Sequence, residues 1–309
     1  MKRTDSLRAS SGPNTPRTGR QLEAELGRRL AAAGLNSPRA EARQIARHVL
    51  GDEPLLVQEL SPRDIAAGRE LVAARLTGRP LQHILGEMAF RSLTLVSDER
   101  ALIVRPETEL VAGVAIDAAL RAGSAPRVLD LGTGSGAIAL AIATEVPGAV
   151  VIGVDLSAEA LSLAHVNAER CRADFAPGAR VAFVHADLRS YTPEPVVDVL
   201  VSNPPYLPAD ERVPAEVAHD PDLALRGGGA DGLDLPFAVL SAGWRALAPG
   251  GVLVLEHHDA QGRALRAAAS AQGYEQAHTG RDLTGRDRYL WARRPTECQM
   301  GPKRGRIPA

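Results

Sequence analysis

Arg127-Val-Leu-Asp-Leu-Gly-Thr-Gly-Ser-Gly-Ala-Ile-Ala-Leu140 decides the fold. A short apolar strand runs into a loop with glycines at 132, 134 and 136, and small apolar residues then continue as a helix. Such glycines keep the turn tight and let the backbone approach a ligand closely. The next apolar run, Val150-Val-Ile-Gly-Val-Asp155, ends in an acid at the spacing expected for holding ribose hydroxyls. Asp187, with Leu188 beside it, closes the run Val181 to Ala186, and Asn203-Pro-Pro-Tyr206 closes the run Val196 to Ser202. Four successive strand ends therefore carry glycine-rich or polar sequence, which is where open α/β sheets bind ligands. The expectation is a mostly parallel α/β sheet with a nucleoside site. Gly132, Gly134 and Ala137 also fit the GxGxxG/A pattern of dinucleotide folds, so the loop by itself does not separate nicotinamide cofactors from S-adenosylmethionine.

The Asn203-Pro204-Pro205-Tyr206 run narrows the chemistry. An amide or exocyclic amino nitrogen shares its lone pair with a π-system, so it must be oriented rather than merely deprotonated. The Asn side chain offers acceptor and donor groups. Two prolines lack N–H groups and hold φ near −65°, so the Pro204 carbonyl is presented at a fixed angle as a second acceptor. Tyr206 adds a flat face and a hydroxyl that seeks a partner of its own.

The chain resembles the class I S-adenosylmethionine-dependent methyltransferases, and within them the PrmC/HemK family of protein-(glutamine-N5) methyltransferases that modify peptide chain release factors. The resemblance covers roughly residues 20 to 293 and rests on five blocks. They are Arg79-Pro-Leu-Gln-His-Ile-Leu-Gly86, Leu102-Ile-Val-Arg-Pro-Glu-Thr-Glu-Leu110, Asp130-Leu-Gly-Thr-Gly-Ser-Gly136, Asn203-Pro-Pro-Tyr206 and Gly280-Arg-Asp-Leu-Thr-Gly-Arg-Asp-Arg288. The first two and the last are the most specific. The chain departs from the family pattern at Val104, where a proline is usual, and at Asp220-Pro221, where Glu-Pro is usual.

The resemblance implies a Rossmann-like sheet with a terminal antiparallel hairpin, preceded by a small helical domain. It implies S-adenosyl-L-methionine as cofactor and a release factor as protein substrate, methylated on the glutamine of its Gly-Gly-Gln motif by direct displacement at the methyl carbon. Gly132, Thr133, Gly134, Ser135 and Gly136 would line the methionine part of the cofactor, Asp155 would bind the ribose, and Asp187 with Leu188 would flank the adenine. Asn203, also next to the cofactor, and the Pro204 carbonyl would hold the substrate amide, with Pro205 and Tyr206 beside it. Arg105, Pro106 and the stretch Glu107 to Glu109 would form part of the wall between cofactor and substrate.

Composition bounds the alternatives. At 309 residues the chain exceeds one average domain. Cys171 and Cys298 are its only cysteines, which gives no disulfide framework and is consistent with a reducing, cytoplasmic setting. No run approaches the roughly 18 apolar residues needed to span a bilayer, so no membrane partner is expected. The start, Met1 to Ser6, is basic without the apolar stretch of a secretory signal. Residues 1–20 and 293–309 each carry five basic side chains and one acidic, so an overall charge of −1 leaves about −9 for the body. A body of that sign is a poor nucleic-acid surface.

The organisation expected is a disordered basic tail over 1–19, a helical substrate-recognition domain over 20–86, a linking strand pair over 87–105, a catalytic domain over 106–293 and a second disordered basic tail over 294–309. Ser37-Pro38 and Ser61-Pro62 each pair a capping hydroxyl with a proline suited to the first helical position. Gly34 and Gly51 stand where helices stop. Ile45, Val49 and Leu50, and Ile65, Val72 and Leu76, are spaced to mark buried faces. The long stretch Leu207 to Gly232 reads as an irregular lid or substrate wall. His257 and His258 follow the strand Val252 to Glu256; as strand neighbours they point to opposite faces, so no metal site is expected.

Three other readings stay open on the sequence. One is a glutamine methyltransferase of a ribosomal protein, which would share most of these blocks. Another is an adenine-N6 methyltransferase of DNA or RNA, which would need a basic groove that is not visible. The third is a non-enzymatic or oxidoreductase module binding NAD through the glycine loop.

Overall fold

The computed structural model describes residues 15–296. Of the disordered tails expected over 1–19 and 294–309, residues 1–14 and 297–309 lie outside the described residues, while Arg294 is paired with Gly250 and Gly251 through the backbone. Two compact units divide the chain, one ending at Leu85 and the other beginning at Gly86.

The first unit is helical: α1 (Gly19–Ala32), α2 (Pro38–Leu50), α3 (Pro62–Arg75) and the short α4 (Leu81–Leu85). Leu22, Leu26 and Leu30, four residues apart on one face of α1, meet Ala42, Ile45, Val72 and Leu81 in a closed apolar core. Thr18 and Gln21 form a reciprocal capping box on α1, and Ser61 and Asp64 form another on α3. Ser37 heads α2 as expected, but its side chain makes no capping hydrogen bond. Leu76 lies past the end of α3 and is 46% exposed rather than buried. The ordered helical region starts before residue 20, because Arg17 O accepts from Leu60 N at 3.0 Å and Thr18 caps α1. Glu25 accepts from Arg69 at 2.9 Å and 3.0 Å, which holds its carboxyl below the usual range.

The second unit opens with an antiparallel hairpin, β1 (Glu87–Phe90) and β2 (Leu93–Val96), followed by α5 (Pro106–Ala122). Five parallel strands come next: β3 (Arg127–Leu131), β4 (Val150–Asp155), β5 (Arg180–His185), β6 (Val197–Ser202) and β7 (Leu247–Glu256). Helices α6 (Ala137–Glu145), α7 (Ala158–Cys171) and α8 (Asp234–Ala246) connect most of them. Helix α9 (Gly262–Gln272) leads to the antiparallel pair β8 (Glu275–Arg281) and β9 (Asp287–Arg293). The sheet order is β5-β4-β3-β6-β7-β9-β8, with β9 antiparallel to β7. This is the class I S-adenosylmethionine-dependent methyltransferase arrangement that the sequence leads one to expect.

Strand alternation splits the core in two. Val128, Val151, Val199 and Val201 pack with α5, α6 and the β1–β2 hairpin, whereas Leu129, Leu131, Leu200 and Leu253 pack with α8 and α9. Burying both faces explains why β3, β6 and β7 read as nearly continuous apolar runs. Among the described residues, no helix is long and apolar enough to cross a membrane.

Candidate active site

The chain order along the sheet runs outward from β3 to β4 and β5 on one side, and from β6 to β7 on the other. The switch point therefore lies between β3 and β6, where open α/β sheets leave a crevice at their carboxyl ends. Leu131 pairs with Ser202 across these strands, and the Ser202 hydroxyl donates to Leu131 O at 2.6 Å. Gly132 and Asn203 consequently leave the sheet side by side.

The glycine loop is held from below. Gly132 N and Thr133 N both donate to Val154 O, at 2.8 and 3.0 Å. The Thr133 hydroxyl donates to Asp130 Oδ2 at 2.7 Å, and Ala139 N donates to the same oxygen at 3.2 Å. Burial pushes the Asp130 carboxyl up to about 7, against the pull of these two bonds. Gly134 has φ +56, and a Cβ there would meet nothing within 4 Å, so open space lies in front of a backbone only glycine adopts easily.

That space belongs to a cavity of about 380 Å³, within the range of small-molecule sites. Its walls include Gly132, Thr133, Gly134, Ser135, Asp155, Asp187, Leu188, Asn203 and Pro205, nine of the residues singled out from the sequence. Thr108, Leu102 and Val104 complete one side, and Pro221, Leu223, Ala224, Arg226, Gly227 and Gly228 form another. The stretch expected to be an irregular lid thus supplies a cavity wall; it contains two short 3-10 turns, Val217–His219 and Asp222–Ala224, and is pinned by the bridge of Leu207 to Arg226.

These residues fit a nucleoside cofactor. Asp155 accepts from Gly134 N at 2.8 Å and Ser157 N at 2.9 Å, which leaves lone pairs of its carboxylate for a diol. The Ser135 hydroxyl is buried with no hydrogen-bond partner. Asp187 lies two residues beyond the end of β5 and is gripped by Arg189, which keeps its carboxyl below the usual range. Leu188 beside it offers an apolar surface.

Other expected residues stand away from the cavity wall. Gly136 is buried as the N-cap of α6. Pro204 is buried, and Tyr206 turns its hydroxyl to Glu256 Oε1 at 3.3 Å. Arg105 pairs with Asp220 at 2.7 Å, and the same carboxylate accepts from Ile103 N at 3.0 Å. Asp220, at the position where the family pattern has Glu, ties the far wall to the segment before α5. Glu107 is likewise off the wall but faces Arg288 and Glu256 electrostatically.

Two protein-family models match the chain: the Methyltransferase small domain over residues 115–230 and the PrmC N-terminal domain over residues 21–86. The release factor glutamine methyltransferase of Deinococcus radiodurans is 41% identical over 282 residues, which cover 89% of this chain and 98% of that protein. The chain belongs to the release factor glutamine methyltransferase family. A member from Streptomyces coelicolor is 41% identical over 279 residues, 88% of this chain and 96% of its own. Among solved structures, the release factor-specific protein-(glutamine-N5) methyltransferase of Alicyclobacillus acidocaldarius is 27% identical over 65% of this chain and 98% of its own, with a TM-score of 0.40.

Thr108 stood in the expected wall segment Glu107 to Glu109 without a role of its own and does line the cavity, whereas Glu256 escaped the sequence reading. Thr108, within the Arg-Pro-Glu-Thr-Glu block, accepts from Asn203 Nδ2 at 3.2 Å. Glu256, 1% exposed at the end of β7, receives the Tyr206 hydroxyl. An acid closing a strand, as Asp155 does, was the available signal. His257 and His258 follow just past the strand end; His257 is buried, its Nδ1 meets His258 O at 2.7 Å, and burial lowers its pKa. Among the described residues, no group of three or more His, Cys, Asp or Glu could hold a metal.

Proposed function

We propose that this chain transfers a methyl group from S-adenosyl-L-methionine to the side-chain amide nitrogen of the glutamine in the Gly-Gly-Gln motif of peptide chain release factors. The observation that carries the reading is one cavity whose walls hold the glycine loop, Asp155, Asn203 and Pro205, in a chain of this family. When bound, the sulfonium cofactor supplies an electrophilic methyl group.

Gly132 to Gly136 would pass along its methionine part, Asp155 would take the ribose hydroxyls, and Asp187 and Leu188 would border the adenine. Asn203 Oδ1 and the Pro204 carbonyl would accept from the two N–H groups of the substrate amide, so that its lone pair is fixed in direction. Pro205, Tyr206, Arg105 and Glu107 would shape the surroundings of that amide. Holding reacting atoms in attack geometry contributes about 7 to 11 kcal/mol, so alignment rather than proton removal is what these residues supply. The helical unit would recognise the body of the protein substrate, and the setting would be cytoplasmic.

The test is methyl transfer from labelled S-adenosylmethionine to purified release factors, a ribosomal protein fraction and DNA, with mass mapping of the modified residue. Label on the Gly-Gly-Gln glutamine is expected. Label only on ribosomal protein or nucleic acid would overturn the substrate.

A further inference from the structure

We propose that Gln261 is a positioning residue of this site: its side-chain amide clamps the Tyr206 end of the Asn-Pro-Pro-Tyr run to the end of the lid segment, and so fixes how the run faces the substrate amide. The inference rests on the glutamine-methylation reading and gives a role to a residue which that reading leaves unused.

Gln261 is 5% exposed and stands in the turn between β7 and α9, where its backbone N–H donates to His258 O at 2.9 Å. Its side chain makes three contacts. Nε2 donates to Tyr206 O at 2.9 Å and to Asp231 O at 2.9 Å, and Oε1 accepts from His258 N at 3.1 Å. A primary amide carries two N–H donors and an acceptor oxygen, and each is matched here. The flipped amide would set its oxygen against two carbonyls and its NH2 against an N–H, so the contacts admit one orientation. One side chain thereby joins the Asn-Pro-Pro-Tyr run, the end of the lid segment and the turn after β7.

The run depends on such a clamp because its middle lacks donors. Pro204 and Pro205 have no N–H, and with φ fixed at both, the freedom left to them is rotation about ψ. Stopping that rotation requires holding both ends. The first end is held where Ser202 closes β6 and Asn203 Nδ2 donates to Thr108 Oγ1 at 3.2 Å. The second end is Tyr206, whose carbonyl Gln261 takes. The lid packs on the same residue: a Cβ on Gly232 would strike Tyr206 O, and one on Gly227 would come within 2.8 Å of Tyr206 Cα. Pro205, Gly227 and Gly228 are cavity wall. Gln261 therefore sets these two stretches of wall against each other from behind, whereas the glycine loop rests on Val154 and Asp130.

The experiment compares wild type with Gln261→Met and Gln261→Asn, measuring kcat and KM on a purified release factor and the Kd of S-adenosylhomocysteine by calorimetry, all below the melting temperature of each variant. Methionine keeps the length of the side chain and loses its donors; asparagine keeps the amide but stands one methylene short of the two carbonyls. Gln261→Met is expected to lower kcat about 10-fold to 100-fold, the size of losing one or two oriented hydrogen bonds, with Kd within about twofold. Gln261→Asn should fall in the same direction, and it decides the matter if Gln261→Met does not fold. A kcat within about twofold of wild type in either folded variant, or equal losses of kcat and cofactor affinity, would overturn the inference while leaving glutamine methylation intact. Failure of both variants to fold would also overturn it, making Gln261 a prop of the fold. A wild type that puts no label on a release factor would remove both the inference and the reading beneath it.

Discussion

The side chain of Asn167 pairs with the backbone of Val96 as another strand would: Oδ1 accepts from Val96 N at 2.7 Å and Nδ2 donates to Val96 O at 3.3 Å. The same Nδ2 donates to Ser135 O at 3.0 Å. One buried amide on α7 thereby joins the β1–β2 hairpin to the glycine loop, satisfying backbone groups of both.

Asn167→Ala leaves those groups without partners. The expected loss is about 3 kcal/mol of unfolding free energy, the cost of stranding buried polar groups, read from urea denaturation. A loss below about 1 kcal/mol would mean that water replaces the amide.

On the proposed reading, Asn203→Ala removes an acceptor for the substrate amide. Turnover should fall roughly 100-fold to 1,000-fold, by analogy with deleting one preorganised polar contact, with cofactor affinity nearly intact. Normal turnover with lost cofactor binding would reassign the residue to the cofactor.

Asp155→Ala acts in the opposite sense. With Asp155 in its proposed place at the ribose, loss of its charged hydrogen bonds should weaken S-adenosylhomocysteine binding about 10-fold to 100-fold in calorimetry, while saturating cofactor restores most of the turnover.

Gly153 lies beneath the glycine loop, where an added Cβ would come within 2.7 Å of Phe183 Cδ1 and 2.8 Å of Thr133 Oγ1. Gly153→Ala should cost about 1 to 3 kcal/mol through overpacking and also weaken cofactor binding by moving Thr133. Thermal unfolding with and without S-adenosylhomocysteine separates the two effects.

Asp130 titrates at about 7 in the folded protein because burial disfavours its charge. The folded state thus binds this proton more tightly than the unfolded chain. Stability from Asp130 is fully present below about pH 4 and is lost as pH rises toward 7, by at most about 1.4 kcal/mol per unit. Glu256, also raised to about 7, has the same sign. Asp130→Asn should therefore reduce, without abolishing, the fall in unfolding free energy between pH 5 and 7; a slope equal to wild type would show that Asp130 stays charged.

Local pattern carried most of what was legible. The strand, glycine loop and helix of Arg127 to Leu140 involve neighbours in sequence, and their period and punctuation announce them. The Asn203 run closes β6 for the same reason. Thr108 with Asn203, 95 residues apart, and Tyr206 with Glu256, 50 apart, meet only because the sheet order brings α5, β6 and β7 together. No spacing rule encodes such a meeting. Tyr206 was expected to lend its flat face; its need for a hydroxyl partner was legible, but the identity of that partner was not. Leu76 matched the helical period yet lies one residue beyond α3, where the period no longer describes the surface.

The insertion of β9 between β7 and β8 has a consequence for synthesis on the ribosome. The edge of β7 has no neighbour until residues 287–293 emerge, after every other strand of the sheet has been made. Arg288, whose charge acts on Glu256, arrives with that strand. A nascent chain can assemble the glycine loop and Asp155 well before the surroundings of Asn203 are complete. On the proposed assignment, the half of the site given to the cofactor is therefore built first, and the half given to the substrate is finished by the final strand.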